Sequence, residues 1–169
     1  MKFNQMKWAG YAACIWLILY IPIHIYWALG GTTLMPGLWR DEAKWAAVNW
    51  GASVVLLVAS IFALLLVHPW GQKISRYLML AMGWFACILP IVHAVYGYIT
   101  KGLFLAGIIP LKFFDFSVWE TLDGDYMILI DLLLFEPWFL IAGVLFGSAT
   151  LQYQSKIKEV MDQQQTIIK

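Results

Sequence analysis

Four stretches of the chain are apolar almost without interruption, and polar residues collect between them. They run from Trp8 to Leu29, Trp45 to Val67, Tyr77 to Ile99 and Tyr126 to Leu151. Each can cross a hydrocarbon layer of about 30 Å as an α-helix rising about 1.5 Å per residue. The pattern predicts an all-α integral membrane four-helix bundle, a single domain over residues 1–169, with 152–169 as a polar cytoplasmic tail. The first run is a retained span, not a cleaved signal. At about 22 residues it is too long for a signal core, and it contains Trp16, Pro22 and His24. Between the third and fourth spans, GLFLAGIIPLKFF is too apolar for a solvated loop. A re-entrant or interfacial segment is expected there, broken by Pro110, with Phe113, Phe114, Phe116 and Trp119 at headgroup level. The following SVWETLDGDY reads as a polar turn.

Composition agrees with a membrane-integral class. The chain is 62% hydrophobic and 12% charged, with a mean hydropathy of +0.74, whereas a soluble domain carries about twice that charge fraction. The net charge of +1 points to no nucleic-acid partner. Lys2, Lys7, Lys73, Arg76, Lys156 and Lys158 fall at one set of span ends. Arg40, Lys44, Lys101 and Lys112 fall at the other, beside nearly all the acids. The positive-inside rule therefore places both termini in the cytoplasm. Cys14 and Cys87 lie inside apolar runs without a Cys-x-x-Cys, and read as small inert hydrophobes. Gly143 and Gly147 form Gly-x-x-x-Gly in IAGVLFGSA. This suits close helix contact within the protomer or in a homo-oligomer. P-loop, Gly-x-Ser-x-Gly, His-Glu-x-x-His and dinucleotide fingerprints are absent, so no hydrolase, nucleotide enzyme or cofactor is indicated.

The candidate chemistry lies in the polar residues inside the spans. His24, His93, Asp131 and Glu136 come from three spans and share the outer half of the bundle. Tyr20, His24 and Trp27 form one helical stripe; Cys87, Pro90, His93 and Tyr96 form another. Asp131 and Glu136 are five apart, about 140° around an ideal helix. They can face one spot only if the helix is distorted, and Pro137 supplies a cause. A membrane histidine often only bridges helices, worth about 0.6 kcal/mol. A carboxylate near mid-membrane costs about 2.5–3.5 kcal/mol, so Glu136 argues most strongly for function. The candidate ligand-binding set is His24, Trp27, His93, Tyr96, Asp131, Glu136 and Trp138, with no metal assigned. Trp8, Trp39, Trp45, Trp70 and Trp119 read as interfacial belt residues.

IHIYWALGGTTLMPG resembles a motif of small uncharacterised bacterial four-span membrane proteins. Their first span ends His-x-x-Trp-Ala-x-Gly-Gly, here His24, Trp27, Ala28, Gly30 and Gly31. The resemblance implies a bacterial inner-membrane protein and no particular chemistry. The expected function is an accessory or binding role, in which a polar pocket takes a membrane lipid, a hydrophobic small molecule or a small polar ligand. The alternatives are acid/base catalysis on an isoprenoid or sterol-like substrate, and haem held by His24 and His93.

Overall fold

Each apolar run folds as one long helix, and the polar stretches between them form turns and a two-stranded ribbon. The computed structural model describes residues 7–110 and 117–168. In chain order it has α1 (Trp8–Ala28), β1 (Gly37–Trp39), α2 (Glu42–Val67), α3 (Arg76–Leu105), β2 (Trp119–Leu122), α4 (Gly124–Ile130) and α5 (Glu136–Ile168). A 3₁₀ turn at Pro69–Lys73 joins α2 to α3, and a π-helical turn at Asp131–Phe135 joins α4 to α5. Four helices are long and apolar enough to cross a membrane, the fourth being the rod that begins at Gly124. The chain is an all-α multi-pass bundle.

Local chemistry sets the helix ends. Asp41 caps α2 by accepting the Lys44 backbone N–H at 3.0 Å, and Asp123 caps α4 by accepting that of Tyr126 at 3.0 Å. Each satisfies an N–H group that a helix start leaves without a partner. The Lys44 backbone N–H, and then its ammonium, hold the Asp41 carboxyl below its ordinary value. At the other end of α1, Gly30 adopts φ +91°, the left-handed conformation in which glycine is strain-free. The Gly30 and Gly31 N–H groups turn back to the Trp27 and Tyr26 carbonyls.

The helices pair as two hairpins, α1 with α2 and α3 with α5, joined mainly along α1 and α5. Small residues let them approach. An added Cβ at Gly10 would strike Val67 of α2, and at Gly143 it would lie 2.8 Å from the Cys87 carbonyl of α3. At Gly147 it would meet the Cys87 thiol, so the Gly-x-x-x-Gly face is used inside the chain. The apolar core lies toward the α2–α3 turn. It includes Ala13, Leu17, Phe62, Ala63, Met79, Ala142, Phe146 and Ala149. Cys14 and Cys87 are buried in it as free thiols.

The opposite end is closed by β1 and β2, antiparallel, with Gly37 opposite Leu122 and Leu38 opposite Thr121. A Cβ at Gly37 would collide with the Thr121 carbonyl, so glycine is what lets the strands meet. In the segment expected to be re-entrant or interfacial, Gly102–Leu105 extend α3 beyond Ile99, and a turn with Gly107 at φ +72° follows. The stretch read as a polar turn instead supplies β2 at Trp119–Leu122 and the start of α4. Phe113, Phe114 and Phe116 lie outside the described residues.

Candidate functional site

The ribbon end of the bundle contains the polar cluster. Its centre is Lys101, which belongs to α3 and is only 8% exposed. Its ammonium lies 3.0 Å from Asp131 Oδ2 and donates a hydrogen bond to Glu136 Oε1. Glu136 is 2% exposed, and its second oxygen, Oε2, has no hydrogen-bond partner among the described residues. His93 Nε2 lies 3.9 Å from it, on a side chain more than half exposed.

The backbone explains how two acids five residues apart meet one lysine. The N–H of Glu136 bonds to the carbonyl of Asp131. Such i→i+5 closure is the mark of a π turn and brings residues five apart onto one face. Pro137 accounts for it. In a regular helix proline cannot donate to the carbonyl four residues back and presses against it; the wider turn relieves both. On α3 the matching concession is Gly97, one turn from both His93 and Lys101. An added Cβ there would collide with the Glu136 carboxylate.

Lys101 corrects the sequence reading most. Its charge places it among the loop lysines, whereas it lies inside a helix with two buried partners. Cation and acids offset one another's desolvation, which is why a lysine can continue an apolar helix here. The spacing His93, Gly97, Lys101, every fourth residue on one face, was the available signal.

A cavity of about 470 Å³ adjoins the cluster. Asp131, Glu136, Lys101 and His93 supply its polar lining; Tyr20, Trp27, Trp45, Trp119, Phe135 and Phe139 supply its aromatic walls. A second space of about 580 Å³ lies toward the ribbon, shares Trp27, Met35 and Trp45 with the first, and carries Glu42 and Glu120. Trp39, Trp45 and Trp119, read from sequence as belt residues, pack on one another at tilted and edge-on angles between the two. Trp39–Trp45 centroids are 4.7 Å apart and Trp45–Trp119 centroids 6.3 Å. The indole Nε1 of Trp39 and of Trp45 is buried without an acceptor among the described residues.

The other candidate residues divide. Trp27 lines both spaces, and its Nε1 donates to the Thr33 carbonyl at 2.8 Å. His24 turns toward α2, where Nδ1 lies 2.8 Å from Asn49 Oδ1, and it packs edge-on against Tyr20 and Trp27. It supports the wall from behind. His24 and His93 are thus engaged with different neighbours: α2 for one, Phe139 and Glu136 for the other. Trp138 stacks on Trp16 and Tyr20 in the α1–α5 seam, at 4.1 and 4.8 Å, behind the cavity. Tyr96 is 61% exposed on the outer face of α3. Among the described residues no three of His, Cys, Asp and Glu are grouped as a metal centre requires.

The first-span motif acquires a structural meaning. His24 ties α1 to α2, Trp27 forms the wall, Gly30 reverses the chain, and Gly31 lies where a Cβ would collide with the Tyr26 ring. No curated protein and no solved structure matches the chain. A family match spans residues 17–146, a range that contains every residue of the cluster and its aromatic walls. The chain belongs to the family described as Protein of unknown function (DUF3995).

Proposed function

We propose that the protein binds a small organic cation in the aromatic cavity beside Glu136. The observation that carries this reading is the Oε2 of a buried glutamate, without a hydrogen-bond partner among the described residues, lining a chamber of aromatic rings. A buried acceptor without a partner costs about 1–3 kcal/mol, more when charged. Two carboxylates share the single ammonium of Lys101, and the oxygen that Lys101 leaves over has only the imidazole of His93 near it, at 3.9 Å. Tryptophan and tyrosine faces attract cations, most strongly when water is excluded. Glu42 and Glu120 on the adjoining space give the approach the same sign. The charge pattern supports cytoplasmic termini, which puts the cavity in the outer half of the membrane. Burial of Lys101 removes one cation from the outer count and strengthens that bias.

The test is native mass spectrometry on gently solubilised wild type and Glu136→Gln, each titrated with benzyltrimethylammonium. The uncharged analogue with carbon in place of nitrogen serves as comparison. Wild type should bind the cation at least tenfold more tightly than the analogue, and the variant should lose that preference. Equal binding of cation and analogue by a folded wild type would sink the proposal. Any molecule that copurifies with wild type and is absent from the variant would identify the natural ligand's mass.

A further inference from the structure

The tail end of the bundle holds a separate cavity of about 460 Å³, enclosed by α2, the 3₁₀ turn, α3 and α5. Its apolar lining includes Leu66, Ile74, Tyr153 and Ile157. Arg76, at the start of α3, and Lys156, on α5, bring exposed cations to the same cavity. The Arg76 guanidinium donates to the Tyr77 hydroxyl at 2.8 Å and to Met161 Sδ at 3.3 Å. Among the described residues neither Arg76 nor Lys156 forms an ion pair. Five described residues at this end are cationic (Lys7, Lys73, Arg76, Lys156 and Lys158), against the acid Glu159 and the sequence position Asp162.

From this combination we infer that the cavity is a binding site for an anionic phospholipid. It opens where membrane-crossing helices end, the depth at which lipid phosphates lie. Two cations over an apolar floor match a phosphate joined to an acyl chain, and basic pockets between helices are a recognised mode of headgroup capture. A guanidinium held by a neighbouring hydroxyl is already oriented for the planar, paired hydrogen bonds that arginine makes with phosphate. A free anion would use the cations and leave the apolar floor empty. The site is distant from Glu136 and independent of the cation proposal.

The experiment titrates the full-length chain in detergent with phosphatidylglycerol, phosphatidylcholine and inorganic phosphate, and counts adducts by native mass spectrometry. Phosphatidylglycerol should be retained at least tenfold better than phosphatidylcholine, and millimolar inorganic phosphate should leave it bound. The double variant Arg76→Gln/Lys156→Gln should lose the preference. Lys73→Gln/Lys158→Gln removes the same charge from the same end, outside the cavity lining, and should keep it. Equal retention of both lipids, displacement by inorganic phosphate, or equal loss in the two double variants would overturn the assignment. The last outcome would mean general surface attraction. Circular dichroism checks that all variants are folded.

Discussion

Lys101 is the residue on which the cluster depends. Without its ammonium, Asp131 and Glu136 face each other in a site where Glu136 is 2% exposed. Removing one partner from a buried ionic group typically costs about 3–5 kcal/mol, because the remaining charge stays uncompensated. Lys101→Met should therefore lower stability by about 3 kcal/mol or more, measured by denaturant titration in mixed micelles. Adding Glu136→Gln to it should restore much of the loss, since one uncompensated charge then disappears. A double variant no more stable than the single one would show that Lys101 contributes through packing instead. At this scale the sequence was legible for the acids and opaque for the lysine. An acid inside an apolar run has few explanations, whereas a lysine near a span end has an ordinary one at the interface. Only the cross-helix geometry of Gly97 and the π turn distinguishes the two. The packing of the tryptophans was not legible either. Trp39, Trp45 and Trp119 fit an interfacial belt by position, and their mutual packing depends on a strand pairing between segments about eighty residues apart.

Helices obey their patterns more closely than single residues do. The four spans follow from hydropathy because a membrane-crossing segment must satisfy its own backbone, and length with composition is most of the signal. Their ends were less legible. Asp41 and Asp123 extend α2 and α4 outward as caps, and α3 continues through the polar Thr100-Lys101 because both side chains find partners: Thr100 donates to the Tyr96 carbonyl at 2.9 Å, and Lys101 has its acids. The Asp41 cap has a pH signature. Its carboxyl is held below the ordinary value in the folded chain. Its contribution is therefore complete above that ordinary value and is lost as pH falls through the lowered one. The melting-temperature difference between wild type and Asp41→Ala should thus be largest near neutrality and should vanish in acid. A constant difference would assign the effect to helix propensity. Within the α3–α5 pair, Gly143→Leu should force the helices apart. The first added carbon would already lie 2.8 Å from a backbone carbonyl, and overpacking a close interface typically costs about 1–3 kcal/mol, occasionally more. Thermal unfolding in detergent should show the loss without a change in particle size on gel filtration. A change in size would show that this face also joins protomers.

The whole molecule separates two jobs along its long axis. Glycines, alanines and interlocking side chains bring the helices together toward the α2–α3 turn. Toward the ribbon the two hairpins enclose ionised groups and aromatic walls. A ligand that fills the latter should stabilise the fold by about 2.7 kcal/mol at one hundred times its dissociation constant. Benzyltrimethylammonium should accordingly raise the melting temperature of wild type and leave that of Glu136→Gln unmoved. The π turn at residues 131–135 makes this division possible, and it acts as a phase shifter. It fits one extra residue into a single turn, so the helix beyond it keeps nearly the phase it would have without that residue. Deleting one of its leucines should return the segment to ordinary α-helix, put the two acids four apart on one face, and leave Gly143 and Gly147 seated on α3. Its cost should be the pressure of Pro137 on the carbonyl four residues back. Deleting one residue between Pro137 and Gly143, where no wide turn absorbs the change, should swing the glycines by about 100° and lower the melting temperature far more.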